Sequence, residues 1–165
     1  MTGIPFGMKT EPYRNNGWKE SVLMLKGIPS ILSPELLKVL MEMGHSDELV
    51  LADGNFPKHA HPACVIRCDG HGIPELLEAI LQLMPLDTYV EHPTLLMQVM
   101  PDDPYRPEIW DTYREIGKRH EANGLREIQI DRFEFYQRAR QAYAVVTTGE
   151  TALYANVILK KGVVK

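Results

Sequence analysis

The feature that most restricts what this chain can fold into is the run "SPELLKVLMEMGHSDELVLAD", Ser33 to Asp53, which joins a helix signal directly to a strand signal. Ser33 is placed to cap a helix whose first position is Pro34, with Glu35 in the first turn and Gly44 where the helix must stop. Leu36, Leu37, Leu40 and Met41 recur at helical spacing and are expected to form its buried stripe. "DELVLAD" is a short apolar run suited to a buried strand ending at Asp53, and "ACVIRCD" is a second one ending at Asp69.

The alternation continues. "GIPELLEAILQLMP" places Leu76, Leu77, Ile80, Leu81 and Met84 on one helical face, with Pro85 as a stop. A strand-like "TLLMQVM", a polar helix from about Pro107 to Asn123, a strand "EIQID", a helix "RFEFYQRARQA" and the strand-like runs "YAVVTT" and "NVILKK" complete the order. This pattern predicts a single three-layer α/β/α domain with a largely parallel sheet of about six strands. Residues 1–23 carry scattered Gly, Pro and Asn without a sustained period and read as an N-terminal extension to a domain over 24–165.

At 165 residues a chain of this kind can bury one real core. A net charge of −4 gives no reason to expect a nucleic-acid surface, and no window reaches the roughly 20 apolar residues of a membrane span. Two cysteines, Cys64 and Cys68, are too few for a disulfide framework, and reduced thiols in a buried strand of a cytoplasmic protein are the economical reading. Neither "GxGxxG" nor "GxxxxGK" occurs at a strand-to-helix turn, which argues against an obligatory dinucleotide or nucleoside triphosphate.

In open α/β sheets ligands gather outside the carboxyl ends of strands, where Asp53 and the loop 54–62 belong. Taken alone, Asp53 is as well explained as the start of an Asp-Gly turn. His45 follows the predicted end of the first helix, where unpaired carbonyls favour a protonated imidazole; that setting suits a general acid or a plain cationic cap. The cluster His59, His61 and Cys64 contains zinc-ligand chemistry but no evident fourth ligand and no strong zinc spacing, so no metal is expected. Arg132 and Tyr136 open the last helix, and Tyr154 and Asn156 precede the last strand. Tyrosine, asparagine and arginine together can orient a neutral polyol by stacking and directional hydrogen bonds, without a cofactor.

The motifs "SPELLKVLMEMGHSDELVLAD", "FPKHA", "RFEFYQRA" and "GETALYANVILKKG" resemble the L-fucose mutarotase branch of the fucose mutarotase and ribose pyranase (RbsD/FucU) family, in order, from about Met24 onward. The resemblance implies an isomerase that interconverts sugar anomers, with His45 as proton donor and Asp53, Arg132, Tyr154, Ala155 and Asn156 binding the monosaccharide. On that resemblance Asp53 is expected to position the acid or hold a hydroxyl, with His59 and Tyr136 as candidate helpers, and the likeness carries a further expectation. It also implies a ring-like homo-oligomer, such as a decamer, with sites completed by neighbouring subunits. A non-catalytic sugar-binding or transport-accessory protein using the same pocket is the competing expectation.

Overall fold

The computed structural model describes residues 24–164, so the N-terminal extension expected over 1–23 lies outside the described residues. Ser33 caps α1 (Pro34–Glu42) by accepting from the Leu36 N–H at 3.2 Å, an interaction whose loss costs roughly 0.5–2 kcal/mol in comparable helices. After it come β1 (Glu48–Ala52), a 3₁₀ turn (Lys58–Ala60), β2 (Val65–Cys68), α2 (Ile73–Leu81) and β3 (Thr94–Met97). The remaining elements are α3 (Ile109–His120), β4 (Glu127–Ile130), α4 (Arg132–Gln141), β5 (Ala144–Thr148) and β6 (Val157–Lys160).

The six strands form one sheet in the order β2-β5-β1-β6-β3-β4. Five run the same way; β6 is antiparallel to β1 and β3 and joins the parallel group β2-β5-β1 to the parallel pair β3-β4. Alternation along the strands divides the core. Leu49, Leu51, Val146, Val157 and Leu159 pack with α1, α2 and α3 on one face, while Val50, Ala52, Leu95, Val145 and Ile158 meet Phe135 and Ala139 of α4 on the other. The expected three-layer architecture is therefore present with unequal layers, three helices against one.

Two packing expectations need correction. Met41 is 86% exposed and Val39 takes its place in the buried stripe, because the helix presents Leu36, Val39 and Leu40 to the sheet. β2 is an edge strand with Val65 and Arg67 exposed and Ile66 and Cys68 buried, so it is half-buried and Cys64 lies only partly covered before it. The α2 stripe is as expected, with Leu76, Leu77, Ile80, Leu81 and Met84 all buried. Glu78, also buried, reaches across to α3, where Arg119 and His120 (2.6 Å) pair with it, so that histidine ties two helices together. Among the described residues no helix is long and apolar enough to cross a membrane.

Candidate active site: two edges of one sheet

The carboxyl edge of the parallel strands gathers most of the predicted residues. Because β6 runs backwards, with Val157 opposite Leu51, the residue before it lies beside the end of β1. The Asp53 N–H donates to Asn156 Oδ1 at 2.8 Å, Asn156 Nδ2 donates to Asp53 Oδ2 at 2.7 Å, and the Asn55 N–H donates to Asp53 Oδ1 at 2.8 Å. Both side chains are buried. Burial pushes the Asp53 carboxyl above its ordinary value, and the negative charge of Glu150 adds to this, against the hydrogen bonds from Asn55 and Asn156. Asp53 is thus a carboxyl fixed in place, with a second lone pair on each oxygen still able to accept from a ligand hydroxyl.

Tyr154 adopts a left-handed backbone (φ 57°), which for a non-glycine residue needs support from its surroundings. α3 supplies that support: Trp110 Nε1–H donates to the Tyr154 carbonyl at 2.9 Å and the buried Tyr113 hydroxyl donates to the Ala155 carbonyl at 2.7 Å. The Tyr154 hydroxyl donates to Asp103 at 2.6 Å and its ring lies against Tyr105, so its phenol fastens the loop 100–106. Glu150 secures the other end of the segment by accepting from the Thr151, Ala152 and Ile73 N–H groups. Its neighbour Gly149 passes so close to Asp69 that a Cβ would stand 2.3 Å from a backbone oxygen; only glycine fits.

Asp131 caps α4 and places Arg132 and Tyr136 one turn apart. Arg132 makes no ion pair among the described residues: its guanidinium lies 4.8 Å from the Phe133 ring centroid and its Nε is buried without a hydrogen-bond partner. Burial, more than the opposing charge of Arg132, raises the Tyr136 phenol, and the negative charge of Asp53 acts in the same direction. His59 and Phe56 stand edge-on to the Tyr136 ring at 5.8 and 5.7 Å. Together His59, Arg132, Tyr136 and the outer face of α4 line a cavity of about 530 Å³. His61 stacks on Phe56, and among the described residues no three His, Cys, Asp or Glu side chains are grouped to hold a metal.

His45 lies elsewhere. It precedes β1, on the amino edge, and the five-residue strand alone separates it from Asp53 by about 16 Å. Within one chain the two do not form a common centre, and Asp53 does not position the imidazole. Nor does His45 cap α1, because Lys161 Nζ takes the Leu40 and Met43 carbonyls at 2.6 and 2.5 Å. The partner of His45 is Asp87, whose Oδ1 is 3.1 Å from Nε2, while the ring of Tyr89 stands edge-on at 5.3 Å. Sequence reading missed Asp87. Its segment, "PLDTYVEHP", has no periodicity, and an Asp two residues after a proline reads locally as a turn former.

The sequence profile described as the RbsD / FucU transport protein family matches residues 26–164. The chain belongs to this family. A fucose mutarotase of Homo sapiens is 54% identical over 149 residues, covering 86% of this chain and 96% of that protein. The L-fucose mutarotase of Actinobacillus pleuropneumoniae is 51% identical over 140 residues, covering 85% and 97%. The crystal structure of the fucose mutarotase in complex with L-fucose from Streptococcus pneumoniae superimposes with a TM-score of 0.81 at 53% identity, covering 86% of this chain and all of that one. In this member of the RbsD/FucU family, the residues singled out from the sequence lie on both edges of the sheet.

Proposed function

We propose that this protein is an L-fucose mutarotase, interconverting the α and β anomers by opening and reclosing the ring. The observation that carries the reading is the buried Asp53–Asn156 pair, with Arg132 Nε buried and, among the described residues, without a hydrogen-bond partner, in a chain more than half identical to proteins named for that reaction. Ring opening requires a proton delivered to the ring oxygen and one removed from the anomeric hydroxyl, and closure on the other face reverses both. Asp53 and Asn156 hold hydroxyls, Arg132 supplies donors, and Tyr136 with Phe56 gives an aromatic wall for the sugar's apolar side. His59 and the Tyr154–Ala155 backbone complete the binding surface.

His45 is the proton donor in this reading. Since it sits on the opposite edge from Asp53, it serves a neighbouring subunit, and the active particle is a homo-oligomer, a ring such as a decamer, in which the amino edge of one copy faces the carboxyl edge of the next. The exposure of Tyr89, 71%, beside a His45 side chain that is 42% exposed supports an edge ready to be covered. The two thiols, neither in a disulfide, fit a cytoplasmic location.

The test is anomer exchange followed by NMR magnetisation transfer, with L-fucose, D-ribose and related aldoses, repeated with a chelator. Saturable acceleration, largest for L-fucose and indifferent to chelator, is expected. A protein that binds sugar without accelerating exchange is the non-catalytic carrier instead. Loss of exchange with chelator would return the His59, His61 and Cys64 cluster to consideration.

A further inference from the structure

We propose that Asp103, in the loop after β3, is a positioning residue for the sugar: by taking the Tyr154 phenol proton it leaves the phenol oxygen to meet a sugar hydroxyl as an acceptor only. This rests on the reading of the carboxyl edge as the sugar site, and adds the Tyr154 phenol to it.

The strand order places the loop. β1, β3 and β4 end at the carboxyl edge and β6 starts there, so along that edge stand Asp53, Asn156, the loop opening at Gln98, and then Arg132. The Gln98 N–H donates to the Ile130 carbonyl at 2.8 Å, so the loop leaves the sheet level with the end of β4. It departs between the Asp53–Asn156 pair and the strand that leads to Arg132. Two of its large side chains stay open to solvent there, Met100 at 44% and Tyr105 at 39%.

Local turn chemistry accounts for one oxygen of Asp103. Oδ1 accepts from the Tyr105 N–H at 2.9 Å, the usual bond of an aspartate to the backbone two residues on. Oδ2 is spent across 51 residues of sequence, on the Tyr154 hydroxyl at 2.6 Å, and the Tyr105 ring stacks on the Tyr154 ring with centroids 6.0 Å apart. The turn has no need of that second bond.

A phenol carries one proton and two lone pairs. The Tyr154 proton is committed to Asp103 and the Met100 N–H approaches the oxygen at 3.4 Å, which leaves an accepting lone pair for a ligand. A free phenol rotor would have to be ordered by the sugar; here Asp103 orders it beforehand. The bonds from Tyr154 and the Tyr105 N–H hold the Asp103 carboxyl below the usual carboxylate range, so it is ionised at neutral pH and only accepts. The same bond, with burial behind it, pushes the Tyr154 phenol above its ordinary value, against the Met100 N–H; the charge of Asp103 adds to the rise and that of Arg132 opposes it.

D103N separates this role from support of the loop. Its amide oxygen can keep the Tyr105 N–H while its nitrogen donates to the phenol oxygen, so the loop stays and the phenol proton turns toward the ligand. KM for L-fucose in anomer exchange should rise about tenfold with kcat nearly unchanged. The Tyr154 phenol, followed by its ¹³Cζ shift and assigned with Y154F, should titrate lower in D103N than in wild type. Y154F should raise KM similarly, and D103N placed on Y154F should add nothing. An unchanged KM in D103N overturns the proposal, and so does an added loss in the double variant, which would show that Asp103 acts through something other than Tyr154. Calorimetric binding of L-fucose keeps the proposal apart from the reading beneath it. A wild type that accelerates exchange while D103N matches it rejects Asp103 and leaves the mutarotase reading standing. A wild type that binds L-fucose without accelerating exchange rejects the mutarotase reading, and Kd then becomes the quantity that D103N must raise. A wild type that does neither overturns both.

Discussion

The two edges of the sheet are built on opposite electrostatic plans. At the carboxyl edge Asp53 is a buried acid whose proton affinity is raised by burial, with the neutral Asn156 as its side-chain partner. At the amino edge Asp87 is shielded from solvent too, yet holds its proton less tightly than an ordinary carboxyl, because backbone and side-chain donors converge on it. The difference teaches what each acid is fitted for. Asp53 resembles a group meant to meet a neutral polyol, and Asp87 resembles a fixed charge meant to hold a cation-forming ring.

The comparison breaks most decisively by separating the edges genetically. H45Q and D53N alone should each lose at least a hundredfold in exchange rate. Co-assembled by mixed refolding in equal amounts, they should regain activity at about one quarter of the sites, the share in which a wild-type His45 edge randomly meets a wild-type Asp53 edge. A mixture as inactive as its parents would rule out sharing between subunits.

R132K, which keeps the charge but loses the planar fork, should raise KM for L-fucose about tenfold or more, as initial exchange rates would show. F135A, in the core beneath both edges, should lower stability by about 3–5 kcal/mol in denaturant unfolding. If it left stability unaltered, α4 would not be the sole cover for its face.

The smallest effect concerns acid. A carboxyl whose folded-state affinity is lowered, such as Asp87, stabilises the fold above the unfolded value of about 4, and that contribution is lost as pH falls through the folded value. Asp53 works in reverse: its contribution is present below about pH 4 and is lost as pH rises through the raised folded value. Melting temperatures measured from pH 3 to 7 should therefore drift in favour of D53N, and against D87N, relative to wild type as pH rises. Parallel drifts would erase the contrast between the edges.

What could be read from the chain follows from the range of the physics involved. Ser33, Pro34 and the α2 stripe act within a turn or two, and their outcomes match their local signals. The Asp53–Asn156 contact spans 103 residues and the His45–Asp87 contact 42, distances that no periodicity encodes. Family motifs brought the first pair and His45 into view, but not Asp87, and not the fact that β1 holds the proposed acid away from the proposed pocket. That separation needed only the length of a strand. The reversed direction of β6 was invisible, since "NVILKK" presents the same apolar run either way round.

β6 also has a consequence for how the molecule comes into being. Among the described residues it is the last strand to leave the ribosome, yet it is the seam between the two parallel groups, pairing with Glu48–Leu51 on one side and Thr94–Leu96 on the other. Until residues 157–160 emerge, β1 and β3 are unpaired along facing margins, two sticky borders awaiting one insert. Synthesis that stalls shortly before this point would release a chain prone to self-association, so the quality of the folded sheet depends on this one strand.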